Sequence, residues 1–102
     1  MLFRKPICTF RATLTNTFHY EDILERLPGR TRLYCEPPTG RNKCYRVECL
    51  VNGDFQAIGT LPADLSKKLL TEYAECRIVI RSFNITFPNG FPKCNVVVDV
   101  YK

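Results

Sequence analysis

Apolar and polar residues along this chain recur mostly with a period of two, which predicts strands. Residues 7–14 alternate Ile, Thr and Phe and read as a first strand. A polar and aromatic segment follows, Thr15-Asn16-Thr17-Phe18-His19-Tyr20. In residues 21–27 the pattern changes: Ile23, Leu24 and Leu27 share one helical face, enough for one or two turns, and Pro28-Gly29 stops them. Residues 31–36 predict a strand with Leu33 and Cys35 facing inward. Pro37-Pro38-Thr39-Gly40 is then a loop, because two prolines remove two backbone donors and fix two φ angles. The clearest half-buried strand sets Tyr45, Val47, Cys49 and Val51 against Arg46, Glu48, Leu50 and Asn52. Asn52-Gly53 suits the positive φ angles of a tight hairpin, with residues 55–60 returning as partner.

Leu61-Pro62-Ala63-Asp64 opens a helix running over residues 63–73. Leu65, Leu69, Leu70 and Tyr73 form its apolar stripe, with Lys67, Lys68 and Glu72 on the wet side. Residues 76–87 predict a long strand in which Cys76, Ile78 and Ile80 alternate with Arg77, Val79 and Arg81. Pro88-Asn89-Gly90 turns the chain, and Val-rich residues 95–101 close the fold. Six or so short strands with one or two short helices predict a mainly β fold, a small OB-like β-barrel. With 102 residues there is room for a single domain, 1–102, and one core.

Composition excludes several classes. Hydrophobic residues make up 45% and charged residues 25%, as in an ordinary globular protein and unlike a disordered one. No apolar run nears the 18 or so residues of a membrane helix. Met1-Leu2-Phe3-Arg4-Lys5-Pro6 has charge but no apolar stretch behind it, so no signal peptide is read and an intracellular, cytoplasmic chain is expected. The Met start fits a complete chain. The sequon Asn84-Ile85-Thr86 then carries no consequence.

Six cysteines are many for this length: Cys8, Cys35, Cys44, Cys49, Cys76 and Cys94. In a secreted protein the even number would suggest a disulfide framework, but no secretion signal supports it here. No C-x-x-C pair is present, so no zinc ribbon or thioredoxin-like motif is indicated. Most of the six lie inside apolar alternations and are expected to be buried, reduced thiols. No metal or cofactor is expected.

Catalytic signatures are missing. His19 is the one histidine, with no Ser or Cys nucleophile at motif spacing. Glycine-rich phosphate loops, H-E-x-x-H and G-x-S-x-G do not occur. Glu21, Asp22 and Glu25 suit the acidic first turn of a short helix. The expectation is a binding module, not an enzyme.

Charge sharpens the picture. Arg26, Arg30, Arg32, Arg41, Lys43 and Arg46 are opposed within residues 26–46 only by Glu36, an excess as large as the net charge of +5. Such clustering attracts polyanions. Aromatics are interleaved: Phe18, His19 and Tyr20 precede the window, Tyr34 and Tyr45 lie in it, and Phe91 sits near Lys93. Aromatic faces stack on unpaired bases while Arg and Lys hold phosphates, a mixture suited to single strands. Alternation turns Tyr34 outward and Tyr45 toward the core, while Tyr20 suits either place.

The order of segments resembles the HIRAN domain. The resemblance rests on Phe18-His19-Tyr20, Leu33-Tyr34-Cys35-Glu36-Pro37, Tyr45-Arg46-Val47, Asn52-Gly53-Asp54 and, most of all, residues 58–65, Ile-Gly-Thr-Leu-Pro-Ala-Asp-Leu. It covers roughly residues 10–100. It implies a modified OB-like barrel and binding of single-stranded DNA at a 3′ end, with Tyr20 matching the aromatic that stacks on a base. The family's Tyr-Asp pair in the Pro-rich loop is missing; Glu36-Pro37-Pro38-Thr39-Gly40-Arg41-Asn42 stands there, a residue short. Arg41 and Asn42 can hold a phosphate without reading a 3′-hydroxyl.

The expected function is therefore a HIRAN-like module for single-stranded DNA or RNA. Tyr20 would stack, and Arg30, Arg32, Arg41, Asn42, Lys43 and Arg46 would make the polar contacts. The alternative is a protein-interaction domain serving a larger nucleic-acid enzyme, such as a helicase or nuclease, with the Val-rich last strand offered for edge pairing.

Overall fold

The computed structural model describes residues 5–15, 32–41, 43–51 and 53–102. Among them, six strands and one α-helix follow one another: β1 (Cys8–Thr13), β2 (Leu33–Glu36), β3 (Arg46–Val51), β4 (Asp54–Thr60), α1 (Ala63–Glu72), β5 (Arg77–Thr86) and β6 (Lys93–Tyr101). A single 3₁₀ turn, Pro88–Gly90, separates β5 from β6, with Asn89 and Gly90 both at positive φ. The short helix expected at residues 21–27 lies outside the described residues.

The strands form two antiparallel sheets of three. The first has the order β1-β6-β5 and the second β2-β3-β4. The mainly β expectation is thus met, but the closed barrel is not. A barrel needs a ladder that continues around its circumference. Among the described residues the sheets meet at one isolated bridge, in which Thr15 and Thr60 exchange backbone bonds of 2.8 and 2.9 Å. On the other side β2 lies against β5 without joining its sheet. A second expectation is also corrected. The Val-rich last strand is not an edge: β6 is the centre of its sheet, its backbone bonded to β1 and β5 on either side, and it has none left for a partner.

The core lies between the sheets and is the sum of their inward alternations. Leu33, Val47, Cys49 and Ile58 from one sheet face Ile80, Cys94, Val96, Val98 and Val100 from the other. Two bulges adjust the period. In β4 the residue Ile58 has no register partner between the pairs Val47–Gly59 and Glu48–Ala57. In β5, Arg81 is the extra residue between the pairs Ile80–Val98 and Ser82–Val97. A bulge puts two residues opposite one and so flips the parity of everything after it. Ile78 and Ile80 face the core before Arg81, and Phe83 and Ile85 after it. The hairpin at Gly53, φ 86°, joins β3 to β4 with Val51 opposite Asp54, as the turn residues predict.

The helix closes one end of the core. Its stripe differs from the expected one: Ser66 and Leu69 are buried, Leu65 and Tyr73 are half-buried, and Leu70 is exposed. Ser66 has a reason to be inside. Its hydroxyl accepts the Tyr45 backbone N–H at 3.1 Å and donates to the Leu61 carbonyl at 3.4 Å. Leu61 N–H in turn donates to the Tyr45 carbonyl at 2.9 Å. One hydroxyl thereby ties the helix to the start of β3. No helix among the described residues is long and apolar enough to cross a membrane.

Candidate nucleic-acid interface

Of the predicted site residues that the structure describes, Arg32 and Arg46 lie on the outward side of the β2-β3-β4 sheet, and Arg41 and Lys43 lie in the loop between β2 and β3. Leu33 points into the core, so Arg32 and Tyr34 on either side of it, and Glu36, alternate outward. In β3 the outward residues are Arg46, Glu48 and Leu50. Register sets Tyr34 opposite Glu48, Glu36 opposite Arg46, and Leu50 opposite Phe55 of β4. Tyr34 and Phe55 meet edge to face, their ring centres 5.2 Å apart at 88°. Phe55 is 58% exposed and Leu50 46% exposed. An aromatic pair, its Phe55 exposed, and an exposed leucine therefore stand together on the outward side of the sheet.

The cations are less free than the sequence window implies. Arg46 donates through Nε to Glu48 Oε1 at 3.0 Å, and Glu48 is mostly covered while Arg46 is half exposed. Residues two apart on a strand share a face, so this pairing is local neutralisation. Arg32, Arg41 and Lys43 are exposed and have no ion-pair partner among the described residues. Arg41 stands in the turn that Gly40 makes at φ 61°. Tyr45 is in the core, as its alternation indicated, and desolvation by burial raises its pKa. Tyr20, Arg30 and Asn42 lie outside the described residues, as do Phe18 and His19. Phe55 and Glu48 are the members that sequence reasoning passed over. The outward alternation of β3 was a signal for Glu48, and the hairpin register was one for Phe55.

The best-built charged group is elsewhere, on the outward side of the β1-β6-β5 sheet. Asp99 is 2% exposed yet fully partnered. Arg81 donates to both of its carboxylate oxygens at 2.7 Å, Thr9 donates to Oδ1 at 2.7 Å, and the Tyr101 hydroxyl reaches Oδ2 at 3.5 Å. The Arg81 hydrogen bonds, which outweigh desolvation, hold the Asp99 carboxyl below the usual carboxylate range. The bulge is what swings Arg81 over Asp99.

The cysteines are free thiols. Burial pushes Cys35 up to about 12 and Cys94 up to about 11, and it also raises Cys49. Such thiols stay protonated and are poor nucleophiles. Among the described residues no three His, Cys, Asp or Glu side chains are grouped as a metal site.

The fold is small and mainly β, with two three-stranded sheets and one α-helix among the described residues. The chain matches no protein-family model, no curated protein and no solved structure.

Proposed function

We propose that this domain is a non-enzymatic, intracellular binding module for single-stranded DNA or RNA. The observation that carries the reading is the Tyr34–Phe55 pair, its Phe55 exposed beside Leu50, on a sheet that also bears Arg32 and, in the loop at the far end of β3, Arg41 and Lys43, all three exposed and without an ion pair among the described residues. Unstacked bases need an apolar face to cover them, and their backbone needs cations along its path; this sheet bears both. The segment order that resembles the HIRAN domain points the same way, with an OB-like ancestry for the sheets and with Tyr20, Arg30 and Asn42 as further contacts. The thiols of Cys35, Cys49 and Cys94, pushed up by burial, and the fully bonded Asp99 are poorly suited to acid–base or nucleophilic work.

The test is fluorescence anisotropy of a labelled dT12 and rU12 against the purified chain. Tyr34→Ala and Phe55→Ala are each expected to weaken binding about five- to a hundredfold, the worth of one stacked base. Absence of saturable binding, or two neutral variants, refutes the assignment.

One observation favours a second reading. The patch formed by Leu50, Phe55 and Tyr34 also suits an apolar anchor from a protein partner, such as a helicase or nuclease. Under that reading Phe55→Ala abolishes capture of the partner, and oligonucleotides bind neither form.

A further inference from the structure

We infer that the outward side of the β1-β6-β5 sheet is a second binding face, one that holds a chain of phosphates. The inference rests on the nucleic-acid reading above for its natural ligand, a single strand. It stands on different residues.

Three observations support it. First, charge on this face is one-sided. Arg11, Arg77, Arg81 and Lys93 occupy outward positions of the three strands, and Asp99 is the one acid among those positions. Asp99 is already held by Arg81, Thr9 and Tyr101. Arg11 and Arg77 are exposed and form no ion pair or side-chain hydrogen bond among the described residues. The opposite sheet differs, since Glu36 and Glu48 there stand among the arginines.

Second, the face is shaped. A shallow depression of about 540 Å³ is lined by Arg11, Thr13, Ser82, Asn84, Asn95 and Val97. Another of about 350 Å³ is lined by Lys5, Ile7, Tyr101 and Lys102. Register places them at opposite ends of the sheet, with Arg11–Val97–Ser82 in one row and Arg77–Tyr101 in another, and the Thr9–Asp99–Val79 row between. Both are open, so neither encloses a small molecule as a ligand pocket does. An extended chain that dips into one, crosses the Arg81–Asp99 bridge and dips into the other fits this relief.

Third, the lining donates. Thr13 fixes Asn95 by donating to its Oδ1 at 2.7 Å, and the Asn95 amide donates on to Thr86 at 3.4 Å. The side chains of Ser82 and Asn84 have no partner among the described residues and remain available. Arg, Ser, Thr and Asn are the side chains that contact phosphate and sugar oxygens in nucleic-acid complexes. Tyr101 adds an aromatic ring at the far end.

The experiment is anisotropy of labelled dT12 at 50 and 200 mM salt, with competition by inorganic polyphosphate in place of the strand as a second arm. Wild type, the double variant Arg11→Ala/Arg77→Ala and the double variant Tyr34→Ala/Phe55→Ala are compared after a thermal melt confirms folding. Two lost phosphate contacts should make the log–log salt dependence shallower by about 1.4, close to a sevenfold difference across that salt range. The Tyr34/Phe55 variant should keep the wild-type slope. If dT12 binds and the arginine variant keeps the full slope, the second face is refuted while the proposed function stands. If dT12 does not bind at all, the proposed function fails and polyphosphate, labelled directly, decides. Binding lost in Arg11→Ala/Arg77→Ala upholds the face, and equal or absent binding overturns it.

Discussion

Ser66→Ala tests the joint that places the candidate interface. Ser66 is completely buried, and its hydroxyl is the acceptor for the Tyr45 N–H. Tyr45 lies between exposed Lys43 and Arg46, so the same bond sets where the basic loop leaves the core. Alanine keeps the helix and leaves almost no void, but the Tyr45 N–H loses its partner in a site that water does not reach. An orphaned buried donor costs about 1–3 kcal/mol. Alanine returns up to about 0.5 kcal/mol as the better helix former. The net expectation is a loss of about 0.5–2.5 kcal/mol, which for a domain of this size lowers Tm by roughly 2–20 °C. Urea unfolding followed by circular dichroism reads it as a lower midpoint at unchanged m-value. Lys67→Ala, one residue along and exposed, is the control and should stay within about 0.5 kcal/mol of wild type. If Ser66→Ala matches that control, the hydroxyl is not what holds the helix to β3, and the buried serine needs another explanation.

Acid should act through Asp99. Its carboxyl is depressed in the folded protein, so the stability it contributes is present above its unfolded pKa of about 3.9 and is lost as pH falls through the lower folded value. The stability gap between wild type and Asp99→Asn, measured by urea midpoints, should therefore be widest near pH 7 and close below pH 4; a gap independent of pH would contradict the bridge. Thiol labelling at pH 8 should separate two sets. Buried Cys49 and Cys94, and half-buried Cys35, whose thiol desolvation also pushes up, should resist iodoacetamide in the folded protein, whereas Cys8, Cys44 and Cys76 react first and all six react in urea. Uniform labelling of the folded chain, read by mass spectrometry, would contradict the desolvation of those three thiols.

The strands were legible because each exposes one face or hides it with a period of two. Val47 and Cys49 are buried where Arg46 and Leu50 are exposed, and the same parity marks Cys94 to Val100. The Asn52-Gly53 turn and the helix after Pro62 were equally plain. Topology was harder. Nothing in the Val-rich run of β6 states whether it is an edge or a centre, since a central strand covered on one face and bearing Asn95 and Asp99 on the other reads much like an edge. Barrel closure is a property of seams, and the Thr15–Thr60 bridge depends on two ordinary threonines. The Arg81 bulge is visible only in hindsight, as a shift of apolar parity from Ile78 and Ile80 to Phe83 and Ile85. The helix stripe misled at one place: hydrophobicity favoured Leu70 for the interior, whereas the Tyr45 N–H required an acceptor and Ser66 supplied it.

Charge shows the same limit in a form that bears on function. Counting along the chain treats sequence neighbours as spatial ones, and it located the positive surface at residues 26–46. Strands rearrange that count. Arg46 shares a face with Glu48 two residues on and is neutralised by it, although Glu48 falls just beyond the basic window. Arg11 and Arg77 are far apart in sequence and unremarkable in any window, yet β6 draws both strands into one sheet and its single outward acid is consumed by Arg81. A polyanion responds to the summed field over a surface, not to the order of residues. Uncompensated cations therefore stand on both sheets, Arg32 on one and Arg11 and Arg77 on the other, while the Tyr34–Phe55 pair lies on only one. That arrangement is why the salt slope and the stacking loss must be measured on separate variants: a ligand held by both faces should respond to each independently, with nearly additive effects, and one held by a single face should respond to only one.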